Sequence, residues 1–202
     1  MKNKYNQLIS RLTDKELLYH LYLTQTILLA ISLILGFFLF DHFTYLQNID
    51  ISDLHIIIIG IPAGLSIVIM DIMLMKMLPS SYYDDGGLNE RIFSNRNVFH
   101  ILIIAFVVSF SEELLFRGII QTKVGLITAS IIFAIIHYRY LFNWFLFINI
   151  ILVSFMIGLI YNMTGNLAVT MTMHFVIDFL LGVYIKFAKP TMDEEQGGEF
   201  RE

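Results

Sequence analysis

Six apolar runs separated by polar or glycine-containing breaks organise the 202-residue chain. The first extends from about Leu21 to Phe40 and stops at Asp41-His42; the second extends from about Ile56 to Leu78, with Pro62 as its predicted bend. Pro79 to Asn97 is the longest polar stretch, and its Asp84-Asp85-Gly86-Gly87 marks a turn. A third run, Val98 to Gln121, reverses at Lys123-Val124-Gly125 into a short fourth, Leu126 to His137. Leu141 to Tyr161 and Leu167 to Lys186 complete the set on either side of an Asn162 to Asn166 turn. About 20 apolar residues span a hydrocarbon core of roughly 30 Å, so five runs reach the required length and the fourth must recruit flanking residues. Ahead of them, Met1 to His20 sets Lys2, Lys4, Arg11 and Lys15 among loosely helical leucines and predicts an interfacial helix.

The pattern predicts an all-α polytopic membrane protein with about six transmembrane helices. Residues 1–97 form an N-terminal region with the interfacial helix, two spans and a cytoplasmic loop; 98–189 form a four-span core; 190–202 form an acidic, glycine-containing tail expected to be disordered. Composition agrees: 57% of residues are hydrophobic and 15% charged, which excludes an ordinary soluble domain. A net charge of -4 spread over loops and tails offers no face for nucleic acid. With no cysteine, thiolate nucleophiles and cysteine-ligated zinc are excluded. The first apolar run lacks a small-x-small exit and is expected to stay as a span rather than be cleaved as a signal peptide. Lys and Arg on alternate sides count eleven against one, from which the positive-inside rule places both termini in the cytoplasm of a multi-pass cell-membrane protein.

Ionisable residues inside the spans then change the picture. Ser111-Glu112-Glu113-Leu114-Leu115-Phe116-Arg117-Gly118 puts three charges into the third run, although each costs roughly 2.5 to 3.5 kcal/mol at the centre of a membrane helix. Glu113 and Arg117 stand four apart on one helical face, in the acid-first order that suits an ion pair. Glu112 is rotated by about 100° from that face, so one guanidinium cannot serve both acids equally. His137 closes the fourth run with Phe133 one turn earlier, and His174 and Asp178 share a face of the sixth. Asp71 and Lys76 lie near one end of the second run, where snorkelling to the headgroups is the expectation, and Met70, Met73 and Met77 form a packing stripe. Counting from the Lys123-Val124 reversal puts Glu112 and His137 each about 18 Å away, and His174 about 13 Å from its own turn, at 1.5 Å per residue. These residues therefore converge near mid-membrane. Two carboxylates and two imidazoles suit water activation or metal ligation, and without an H-E-x-x-H spacing the site must be assembled from three helices.

In these residues the chain resembles the CPBP intramembrane proteases, which include the type II CAAX prenyl endopeptidases and the Abi bacteriocin-processing or immunity proteins. The E-E-x-x-x-R motif is met by Glu112, Glu113 and Arg117, F-x-x-x-H by Phe133 and His137, and H-x-x-x-N or D by His174 and Asp178, with Thr164-Gly165-Asn166-Leu167 as lead-in. The resemblance covers about Phe99 to Leu181 and leaves the N-terminal spans outside. It implies a CPBP-type protease core, a hydrolase acting on a peptide or lipidated protein substrate among membrane lipids, and Glu112, Glu113, Arg117, His137, His174 and Asp178 as catalytic residues. In that reading Glu112, helped by His137, activates water, His174 and Asp178 stabilise the oxyanion or bind a metal ion, and Arg117 holds Glu113. If the protein is a metalloprotease, Glu112, His137, His174 and Asp178 are the donors and zinc is the first candidate among divalent ions. An aspartate at position 178 can donate to an oxyanion only when protonated, which tilts the assignment towards a metal ligand. The alternative is a bacteriocin self-immunity protein that binds without cleaving. A proton-coupled transporter is a third reading, which gives Arg117 and Phe133 no part.

Overall fold

The computed structural model describes residues 9–188, all of whose regular structure is helical. The acidic tail expected at 190–202 and the first part of the expected interfacial helix lie outside these residues. Helix α1, Asp14–Leu39, starts in a capping box: Thr13 accepts from the Glu16 backbone N–H, and the Glu16 carboxylate accepts from the Thr13 N–H at 2.7 Å. Nothing from there to Leu21 interrupts the hydrogen-bond ladder. From Asp14 onward the sequence expectation of a separate interfacial element is therefore corrected to one continuous helix.

A 3-10 segment, Asp41–Asn48, follows and turns Tyr45 back under α1, where its hydroxyl donates to the Ser32 carbonyl at 3.3 Å. Helix α2, Ile61–Met77, is preceded by a π-helical turn, Ile56–Gly60. Pro62, where the sequence predicts a bend, is the second residue after this π-helical turn, and its missing N–H interrupts the ladder there. Gly60, the last residue of the π-helical turn, and Gly64 of α2 lie four apart and face the helix that carries His174. A Cβ on either would stand 2.9 Å from a backbone carbonyl, that of Val169 or of Met173. Small residues at this spacing let two membrane helices meet backbone to backbone. Asp71 departs from the snorkelling expected of it, because it is partly buried and accepts from the Asn149 amide at 3.2 Å.

The short helix α3, Leu88–Phe93, lies in the polar stretch before α4, Val98–Glu113, which Asn97 caps through the His100 N–H. After Glu113 the helix widens into a π-helical segment, Leu114–Gln121, and ends in the turn Thr122–Val124. Gly125, at φ 84°, allows the immediate reversal into α5, Leu126–Ile136. Eleven residues cover only about 16 Å at 1.5 Å each. The 3-10 segment Tyr138–Phe142 follows and brings Asn143 to the polar stretch, where its amide donates to Ser81 O at 3.0 Å. Helices α6, Trp144–Thr164, and α7, Leu167–Phe187, complete the bundle, with Asn166 capping α7.

Among the described residues, five helical segments, 14–39, 56–77, 98–124, 144–164 and 167–187, are long and apolar enough to cross a membrane. Helix α7 is the central one and packs against α2, α4 and α6. Isoleucines and phenylalanines such as Ile34, Phe38, Ile57 and Phe106 point outward, while Glu112, Glu113, Arg117 and His174 are buried inside. This inversion of the soluble pattern suits lipid as the outer solvent.

Candidate active site

Glu112 and Glu113 occupy the last two α-helical positions before the π-helical segment, a form of helix that recurs at functional sites. Their side chains diverge. Glu113 and Arg117 are both fully buried, with Arg117 Nε 3.2 Å from Glu113 Oε2. Arg117 Nη2 donates to the carbonyl and hydroxyl oxygens of Ser154 on α6 at 3.2 and 3.4 Å, and the guanidinium lies 5.2 Å from the centre of the Phe133 ring. The other Glu113 oxygen accepts from His174 Nδ1 at 3.0 Å. One ion pair thus links α4, α6 and α7, and a charge so placed needs such partners.

Glu112 is directed elsewhere. Its Oε1 accepts from the Gln25 amide of α1 at 3.1 Å. Its Oε2 is buried without a hydrogen-bond partner and faces His137 Nε2 at 3.8 Å and His174 Nε2 at 4.0 Å. The histidines are set from behind. His137 ends α5, with Nδ1 2.9 Å from the Phe133 carbonyl; a carbonyl only accepts, so Nδ1 carries a proton and Nε2 is the nitrogen turned towards Glu112. Phe133 stacks on His137 with ring centres 4.4 Å apart and meets Phe116 edge-on at 4.7 Å. His174 Nε2 stands 3.5 Å from Asp178 Oδ2. Asp178 and His137 form the open edge, their side chains 29% and 21% exposed against 6% for Glu112.

All six residues singled out in the sequence therefore fall in one cluster. The direct bond between Glu113 and His174 had no counterpart in the sequence reading, which paired Glu113 with Arg117 alone. Gln25, Ser111 and Ser154 were missed as well. Gln25 had left a signal: it is the one amide in the first apolar run.

The donor types would suit a divalent ion, zinc first. Two donors of a tetrahedral zinc ion stand about 3.4 Å apart, however, given bonds of about 2.0 to 2.1 Å. The gaps from Glu112 to the imidazoles are wider, and among the described residues no three His, Cys, Asp or Glu are grouped closely enough to hold a metal ion as they stand. Separations of 3.8 to 4.0 Å are the kind that a bridging water closes.

The family model for type II CAAX prenyl endopeptidase Rce1-like proteins matches residues 94–180, the segment holding both carboxylates, both histidines and Asp178. The uncharacterized protein YpbD of Bacillus subtilis is 42% identical over 173 residues, which cover 85% of this chain and 92% of YpbD. The chain belongs to the Rce1-like family. A second relative, the UPF0177 protein YxdF of Lactococcus lactis, is 29% identical over 120 residues, or 57% of this chain and 66% of YxdF. No solved structure matches. The Rce1-like match begins beyond α1, so Gln25 reaches the cluster from outside the matched region.

Proposed function

We propose that this Rce1-like protein is an intramembrane endopeptidase that hydrolyses peptide bonds of membrane-associated or lipidated substrates with a water activated by Glu112 and His137. The supporting observation is Glu112 Oε2, a buried carboxylate oxygen with no protein hydrogen bond and two imidazole nitrogens within 4.0 Å. A water between these atoms gives up its proton to Glu112 as its oxygen attacks the scissile carbonyl carbon. His137 accepts a hydrogen bond from that water through Nε2 and orients it. The carbonyl oxygen becomes an oxyanion facing His174 and Asp178. His174 donates from Nε2–H when both its nitrogens are protonated, Nδ1–H being already held by Glu113, and Asp178 donates when protonated. The proton on Glu112 then passes to the leaving amine as the C–N bond breaks. Arg117 acts at one remove, fixing Glu113 and through it the His174 ring. No step passes through a metal ion.

The test is cleavage of a library of membrane-embedded and lipidated peptides by the purified protein in liposomes, with products read by mass spectrometry, with and without chelator. Cleavage at one defined bond that persists in chelator is the expected outcome. The absence of any cleavage would favour a binding role, and loss of cleavage restored by zinc would move the chemistry to an ion.

We also propose that both termini and the Pro79 to Asn97 stretch face the cytoplasm, from the eleven-to-one distribution of Lys and Arg. Because the chain has no cysteine, Asp85→Cys introduces a single thiol. In intact cells it should resist a membrane-impermeant maleimide and react after permeabilisation; labelling of intact cells would reverse the orientation.

A further inference from the structure

We infer that Gln25 is a positioning residue for Glu112, supplied by a helix outside the Rce1-like match, an inference that rests on Glu112 being the base. Gln25 is buried in α1, with 7% of its surface exposed, although most of that helix faces outward. A primary amide placed there without partners would be costly. It has two. Its Nε2 donates to Glu112 Oε1 at 3.1 Å, and its Oε1 lies 2.5 Å from Ser111 Oγ, the residue preceding Glu112. A carboxylate offers no donor, so the NH2 end must face Glu112, which leaves the amide oxygen to the Ser111 hydroxyl, whose one proton also has the Val107 carbonyl at 2.7 Å.

The two oxygens of Glu112 are thereby made unequal. Oε1 is tied to Gln25, while Oε2 is left for the space between His137 and His174. Without the amide the carboxylate can rotate about its last torsion, and the oxygen meant for water no longer has a fixed direction. A purely architectural role for Gln25 is poorly motivated, because α1 is docked by other contacts. Leu28 packs with Leu115, Phe116 and Phe133; the Tyr22 hydroxyl and His100 Nε2 are 3.1 Å apart; and Arg91 bonds Asp14 and the Ile9 and Leu12 carbonyls at the start of the helix.

The test is a double-mutant cycle of Gln25→Met and Ser111→Ala on the full-length protein, with kcat, KM and thermal unfolding measured for each variant. Methionine matches glutamine in length and removes both hydrogen bonds. Gln25→Met should lower kcat on the order of tenfold to a hundredfold, the range expected when a reacting group loses its alignment, with KM changed less than about twofold. Ser111→Ala should lower kcat less and add nothing in the Gln25→Met background, because both act through one amide. Should Gln25→Met fail to fold, Gln25→Asn keeps an amide too short to reach Glu112 and should show the same kcat loss. An unchanged kcat in a folded Gln25 variant, a loss confined to KM, or additive losses in the cycle would overturn the inference while leaving Glu112 as the base. Absence of turnover in the wild type would overturn the proposed function, and this inference with it.

Discussion

Glu112→Gln is expected to abolish turnover and leave thermal unfolding in detergent unchanged. The amide keeps the carboxylate's length and planarity, and its carbonyl oxygen can still accept from the Gln25 amide now bonded to Oε1. Its NH2 group would take the place of Oε2 and face His137 Nε2, which accepts when that ring is neutral. What disappears is the ability to take a proton. General-base catalysis alone is worth on the order of 10² to 10⁴ in rate. His137 cannot substitute fully, because its Nδ1 is committed to the Phe133 carbonyl and Nε2 is its one free position. Cleavage at the wild-type rate by a folded Glu112→Gln protein would show that the base is elsewhere.

The largest effect on stability is expected from Arg117→Ala. Removing one partner of a buried ion pair leaves the other charge uncompensated, at about 3 to 5 kcal/mol in soluble interiors. Here the stranded group is Glu113, with no exposed surface, and the same change removes the bonds to Ser154 and the cation over Phe133. Activity should fall with stability, because the second oxygen of Glu113 holds the His174 ring. Glu113→Gln combined with Arg117→Met removes both charges and keeps much of the volume, so it should recover part of the stability lost in Arg117→Ala. Thermal unfolding of the three proteins measures this, and a double variant no more stable than Arg117→Ala would mean that charge compensation is not what Arg117 contributes.

The spans and the motif residues were legible in the sequence for physical reasons. Hydropathy reports which segments prefer lipid, and a charge within such a segment is expensive enough to stand out, as Glu112, Glu113, Arg117, His174 and Asp178 do. The divergence of Glu112 and Glu113 followed from helical rotation alone, even though the helix becomes π-helical immediately after them. Neutral polar groups escaped the same reasoning. Gln25, Ser111 and Ser154 perturb hydropathy little, and their importance depends on which helices become neighbours, which no local pattern specifies. Helix α1 begins at Asp14, ahead of the apolar run, because the Thr13 capping box, a local hydrogen-bond signal, governs where it starts rather than the onset of hydrophobicity. Asp71 was misread for the opposite reason: distance from a helix end was weighed, while its partner Asn149 lies 78 residues away.

The contact of α2 with α7 has a bearing on how this sequence can drift. Gly60 and Gly64 rest against the carbonyls of Val169 and Met173, and the latter residue immediately precedes His174. A helix with no ionisable group in the cluster thus sets the height and tilt of the one that carries an imidazole and a carboxylate. A methyl group added at position 60 meets the Val169 carbonyl, and one at position 64 meets the Met173 carbonyl and the branch of the Val176 side chain equally closely, so α7 itself must shift. Tolerance at these two sites is governed by how closely α2 and α7 must meet, and a survey of variants confined to the motif residues would pass over them.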